Sequence, residues 1–597
     1  MNPNSNASIS KLAARATFVV LLLALSYAHL TILFRGLSTE EGMEQAVIGR
    51  EVARGNGLQT KVIRPSAIRL ARENNNEKAS LDEAKSNTYF APLQPILLGT
   101  IFKLQGAVEF QSIEDEEMIY GLDRTVALFS IICFFLGITM TYFLVGRIFD
   151  SRIAASVAFM MLFCSLFWDF ATSGMAQMLM LFLFSTGSYF AYRALENSEE
   201  EQNGLIFGSL AALFFALLAV THYLAIWIMV GYAVAAAIFI QPKGFAGIIA
   251  FVTLILALIL PIGNNISTTG TVGGLAFLDV YEGLQGQGEI AQRSLGPVVL
   301  NLGQIPLRLT RLALLQTENL YLFLGSIIAA PAFFVALLHN FKKPSIANFR
   351  WVLFLMWICA AFGMGIFGLK NGAQSYNQLH ILFAPLMAAY GLALITVLWG
   401  RLDIFDSAPF LRNAHLIVLV AISAGPYLLK TPFDAYNLLK QGNSNQQFPP
   451  NYPPYAPSVL DDSIVAFSDE EEIVFTDQPA AVAWYTDRPS ILLPFRLESM
   501  EELEDMADAE GRDIAGTLIT PKSNGERTLS GLARNYGDYL SIMLDGWAAS
   551  ASGTGDPRLV SRNDKDMQDF FGRYPYTNFL LFQGDPMIYY SSRRLDK

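Results

Sequence analysis

The 597-residue chain is 53 % hydrophobic and only 16 % charged, with a formal net charge of −11. Soluble domains carry roughly 25 % charged residues, so a wholly soluble protein is excluded, as is nucleic-acid binding, which needs clustered Lys and Arg. The three cysteines (Cys133, Cys164, Cys359) sit in apolar runs, and the five histidines (His29, His222, His339, His380, His415) show no close metal-ligand spacing.

The charge deficit is uneven, and it divides the chain. A helix needs about 20 apolar residues to cross the hydrocarbon. The first such run, 16–34, follows Lys11 and Arg15 and precedes no small-x-small cleavage site, so it reads as a retained span rather than a signal peptide. Further spans are predicted at 124–146, 153–168, 175–193, 204–220, 223–240, 245–262, 319–338, 351–369, 377–398 and 413–429, about eleven in all. With a cytoplasmic N-terminus, that side collects Lys11, Arg15, Arg147, Arg152, Arg193, Lys243, Lys342, Lys343, Arg350, Arg401 and Arg412. The opposite side holds Lys370, Arg293, Arg308 and Arg311. The N-terminus is therefore read as inside and the C-terminal part as extracytoplasmic.

The expected fold is an all-α polytopic membrane body with a small C-terminal α/β domain. Residues 1–430 form the body, with extracytoplasmic loops at 35–122 and 263–318, the latter carrying an amphipathic stretch near Pro297–Leu315 that suits the membrane interface. A Pro- and Asn-rich linker spans 431–459. In 460–597, Ile473–Phe475, Ile491–Leu493 and Thr517–Ile519 read as buried strands, and Glu498–Asp508 and Leu529–Leu544 as helices.

The first loop carries the chemistry. Directly after the first span come Gly36, Thr39, Glu40, Glu41, Gly42 and Glu44, then a helix-like run to Arg54 and the stop Gly55-Asn56-Gly57. A helix starting near Thr39 favours carboxylates in its first turn, and Glu41 and Glu44, three apart, share a face. Such a carboxylate beside a membrane-facing cavity suits a general base for an acceptor hydroxyl. By spacing alone, the acidic turn of a surface helix is the favoured reading.

In order along the chain, these segments resemble the GT-C superfamily of membrane glycosyltransferases, which includes protein O-mannosyltransferases and lipid A aminoarabinose transferases. Glu40-Glu41 stand near that family's acidic pair, Ala46 to Gly55 resembles the helix that follows it, and Tyr89 to Pro95 resembles its Pro-Leu segment. Asp123-Arg124, Arg147 to Arg152 and Thr221-His222-Tyr223 are similar as well, as are Thr476 to Pro479 and Ala483 to Pro489 in the tail. The resemblance implies transfer of a sugar from a polyprenyl-phosphate donor to a glycan, lipid or protein acceptor, with inversion, on the outer face of a bacterial inner membrane. Glu41 falls over the expected acid when Arg50 and Glu51 are matched to a familial Arg-Glu, with Glu40 and Glu44 as alternatives.

Two departures stand out. Glu replaces the Asp that usually opens the acidic pair, and Gln177 stands where many members carry a second carboxylate. An amide cannot replace a carboxylate as a hard-cation ligand. No cofactor is firmly implied, and a divalent cation is disfavoured. Substrate-binding candidates are Lys61 and Arg64, which could hold a lipid-linked phosphate, together with Asp169, His222 and His380. Trp484 and Tyr485 could stack on sugar, but an aromatic helix packed on its own sheet is the plainer reading. Two rival functions remain: an inactive scaffold whose tail is the working module, and a transporter, which the charge-poor central spans disfavour.

Overall fold

The computed structural model describes residues 16–75, 80–110, 119–277, 292–296, 303, 306–307, 309–310, 329–367, 374–401, 409–442, 460, 464–520, 528–552, 561, 564–582 and 585–593. The expected interfacial stretch Pro297–Leu315, the linker core 446–457 and the first half of the 319–338 span lie largely or wholly outside them.

Among the described residues, five helices are long and apolar enough to cross a membrane: Gly121–Ile148, Phe245–Thr269, Pro344–Ile366, His380–Trp399 and Leu411–Lys440. A sixth span arises if Ser151–Leu162 and Ser165–Ser173, bent by 59°, count as one. The other runs expected to span fall on shorter apolar helices, such as Ala16–Ile32, Leu205–Ala219 and Tyr223–Phe239, or on the less apolar Gln177–Glu199. The expectation of about eleven rested on apolar length near 20 residues, and that count is not confirmed among the described residues. The bent pair has a clear local origin. Asp150 caps its start by accepting from the amides of Arg152 (2.8 Å) and Ile153 (2.9 Å), the chain breaks around Cys164, and Gly174 at φ 86° stops the second half.

The first loop does not float free. Glu40–Arg54 forms a helix because Thr39 caps it, two acids occupy its first turn, Arg54 its last, and Gly55 ends it at φ 91°. It packs through glycine faces. A Cβ on Gly49 would sit 3.0 Å from the Leu98 Cβ of the Leu93–Leu104 helix, and one on Gly99 only 2.6 Å from the Gly49 carbonyl.

The tail builds a six-stranded sheet, ordered β1-β3-β2-β4-β6-β5. Here β1 is Val62–Ile63, β2 Ile473–Thr476, β3 Ser490–Leu492, β4 Ile514–Ile519, β5 Tyr576–Phe582 and β6 Asp585–Ser591. Strands β1 to β4 pair in parallel, whereas β6 runs antiparallel to β4 and β5. Strand β1 belongs to the first loop: Val62 registers with Ser490 and Ile63 with Ile491. The loop thus lends an edge strand to the tail's sheet, covering an edge that would otherwise be open.

Candidate functional site

The acidic helix begins wedged between two turns of the membrane body. The Thr39 hydroxyl donates to the Ser173 carbonyl (3.1 Å) while accepting from the Gly42 amide (3.3 Å). Gly42 is required there, since a Cβ would come within 2.3 Å of the Ser173 carbonyl oxygen. Gln94 Nε2 holds the same turn through the Gly174 carbonyl at 2.7 Å. On the other side, Gln374 Nε2 donates to Ser38 Oγ (3.1 Å) and the Asp169 carbonyl (2.9 Å). Glu40 and Glu41 are half-buried in this wedge.

Across the wedge lie His222 and Tyr376. The ring of His222 stacks on Tyr376 with centroids 4.1 Å apart. His222 Nδ1 accepts from the Leu224 amide (3.1 Å), so the neutral ring carries its proton on Nε2 and donates to the Tyr376 carbonyl (3.1 Å). Burial pushes the imidazole down to about 4, against the opposing pull of that carbonyl and the Glu41 charge. Gln177 Nε2 donates to the same carbonyl at 2.5 Å. His222, Tyr376 and Gln177 are thus joined at the Tyr376 carbonyl, within the field of Glu41.

The remaining sequence candidates separate. Glu44 and Arg64 form a buried fork: Arg64 Nη1 and Nη2 reach the two Glu44 oxygens at 2.6 and 2.5 Å, and the guanidinium lies 4.4 Å from the Tyr89 ring centroid. Burial pulls the Arg64 pKa down, but Glu44 outweighs it and holds it above the usual range. Lys61 binds Asp487 of the tail, at 2.7 Å to the carbonyl and 3.0 Å to the carboxylate. His380 is fully buried at the head of its helix, where Nδ1 accepts from Trp357 Nε1 (3.2 Å). Asp169 is brought to the wedge by its backbone carbonyl. Trp484 and Tyr485 are buried, not open to a sugar; Trp484 Nε1 (2.6 Å) and the Tyr485 hydroxyl (3.0 Å) both donate to Asp123.

Sequence reasoning gave no role to Tyr376, Gln94 or Gln374, and nothing local marks them. Among the described residues, no three His, Cys, Asp or Glu side chains gather into a metal-ligand set.

Neither the scan against protein-family models nor the search of curated proteins gives a match. Solved structures do. ArnT from Cupriavidus metallidurans bound to undecaprenyl phosphate matches with a TM-score of 0.52 at 11 % identity, covering 98 % of this chain and 99 % of that one. The archaeal oligosaccharyltransferase AglB from Archaeoglobus fulgidus, in complex with an inhibitory peptide and a dolichol-phosphate, matches at 0.50 and 12 % identity, covering 98 % and 75 %. At such identities the likeness shows the fold.

Proposed function

We propose that this chain, which has the GT-C fold of ArnT and AglB, is an integral membrane glycosyltransferase that moves a sugar from a polyprenyl-phosphate carrier to an acceptor on the extracytoplasmic face. One observation carries the reading: Glu40 and Glu41 are presented by a capped, glycine-packed helix start between two turns of the body. The solved relatives hold undecaprenyl phosphate and dolichol-phosphate, which supports a lipid-linked phosphate donor here.

In the proposed reaction the acceptor hydroxyl attacks the anomeric carbon from the face opposite the phosphate. A Glu carboxylate takes the hydroxyl proton as the new bond forms, and the anomeric C–O bond breaks to release the lipid phosphate. The anomeric centre inverts. The base role is assigned to the first-turn pair because the resemblance matches it to the familial acids, and the field of Glu41 falls on His222 and Tyr376. Arg64 and Lys61 already serve Glu44 and Asp487, so the phosphate-holding role is not assigned to them.

Gln177 does not favour an inactive scaffold. Its amide donates to the Tyr376 carbonyl, a positioning use for which a carboxylate would be unsuited. The test is sugar transfer from a labelled polyprenyl-phosphate donor by purified protein. Glu41→Gln keeps the shape but cannot take a proton, and should cut turnover roughly 10²- to 10⁴-fold, the usual worth of a positioned base. Wild-type turnover in both Glu41→Gln and Glu40→Gln would remove the mechanism.

A further inference from the structure

The far end of the acidic helix meets the tail around the Asp487 carboxylate. Asp487 follows the helix Pro479–Thr486, is buried, and adopts φ 57°. Three first-loop cations converge on it. Arg50 Nη2 approaches at 2.8 Å, Arg54 Nη2 at 2.7 Å and Lys61 Nζ at 3.0 Å. Arg50, fully buried, also donates to the carbonyls of Trp484 (3.1 Å) and Ala483 (2.7 Å). Through Trp484 and Tyr485 the same short helix is bound to Asp123, at the head of Gly121–Ile148. The tail helix is thus a bridge, with the acidic helix on one side and the membrane body on the other.

The two ends of the acidic helix are held differently. At its start, the Thr39 hydroxyl bonds the Ser173 carbonyl, Gly42 packs on the Ser173–Gly174 turn and Glu44 is paired with Arg64 of its own loop. At its end, Arg50 and Arg54, one turn apart on one face, lock that face onto Asp487. A carboxylate carried about 6 Å from the helix axis moves about 1 Å for a rotation of about 10°. Misplacement of a catalytic group by about 1 Å can cost about 10²-fold in rate.

We propose that Asp487 is a positioning residue: through this carboxylate the tail sets the rotation of the acidic helix and so the aim of Glu41. The inference rests on the glycosyltransferase reading for its effect on rate, but not for its effect on the helix. It gives the tail a task in turnover without placing it against substrate.

The experiment uses the full-length purified protein in two arms. Asn and Gly both tolerate the left-handed backbone, so Asp487→Asn and Asp487→Gly remove the charge and leave the turn. Each should lower kcat about 10- to 100-fold with the donor KM within about twofold. Amide hydrogen exchange should quicken across residues 40–54 and stay unchanged across 121–148. Arg573→Gln is the control, because it breaks the ion pairs to Glu501 (2.8 Å) and Glu504 (2.9 Å) without touching the first loop. It should alter neither quantity. Should the Asp487 variants fail to fold, Arg54→Gln, at a partly exposed cation, takes their place with the same expectations. Unchanged exchange over 40–54 overturns the proposal, as does faster exchange with wild-type kcat. A wild-type protein without transfer activity removes the glycosyltransferase reading instead, and the exchange arm still decides whether Asp487 holds the helix.

Discussion

Replacing Arg64 by Met tests whether the first loop is built on a buried ion pair. Glu44 is 1 % exposed and Arg64 6 %, and their two contacts at 2.6 and 2.5 Å satisfy the carboxylate in the side-by-side geometry that makes such pairs strong. Arg64→Met leaves the carboxylate buried and uncompensated, a change that costs about 3–5 kcal/mol. Loss of the Tyr89 ring contact adds about 1 kcal/mol. Glu44→Met strands the guanidinium in the same way. The double replacement removes both charges and should recover most of the loss, since a buried pair exchanged for apolar side chains is often neutral. The assay is a double-mutant cycle on the unfolding midpoint of the purified protein in detergent, supported by exchange protection over 40–74. A coupling of about 2 kcal/mol or more between the two sites is expected. Additive losses, or an Arg64→Met variant of normal stability whose only defect is a raised donor KM, would refute the structural role and return Arg64 to the phosphate.

Two further outcomes follow from the wedge. Gly42→Ala puts a Cβ against the backbone of Ser173 and Gly174, which cannot move aside as a side chain would; it should cost about 1–3 kcal/mol and reduce turnover, whereas normal activity and stability would show that the contact is loose. His222 sets a pH dependence. Its folded pKa, about 4, lies below the 6.5 of the unfolded chain, so the unfolded state binds the extra proton. Its contribution is intact above pH 6.5 and is lost as pH falls towards 4, by up to about 3 kcal/mol. His222→Asn should flatten the stability profile across that window, and an unaltered slope would mean that the imidazole titrates normally in the fold.

The pieces of this fold that sequence reveals are those with a local cause. The Thr39 cap, the paired acids and Gly55 mark the acidic helix, and its structural bounds, Glu40–Arg54, follow from them. The runs Ile473–Phe475 and Thr517–Ile519 fall within the central strands Ile473–Thr476 and Ile514–Ile519 for the same kind of reason. Apolar composition does not report where a helix breaks, so the number of spans is less legible. The bend after Leu162 and the stop at Gly174 turn one apolar run into two helices. Strand β1 was invisible, since two residues, Val62 and Ile63, become a strand only by pairing with a partner more than 400 positions away.

The site followed the same division. A charge in the sequence shows what a residue can do, but its partner decides what it does. Lys61 and Arg64 suited a phosphate by type, and each instead neutralises a buried carboxylate. Asp123 and Asp487 stood in familiar-looking segments without a role, yet they join body, first loop and tail. Glu40 and Glu41 stand at the opposite end of this arrangement. They occupy the first turn of a helix whose other acids and bases are committed to holding it: Glu44 to Arg64, Glu51 to Arg54 and Asn56, Arg50 to the tail. The later charges anchor the helix and its first turn lies between two turns of the body, and that placement is why the base is sought there.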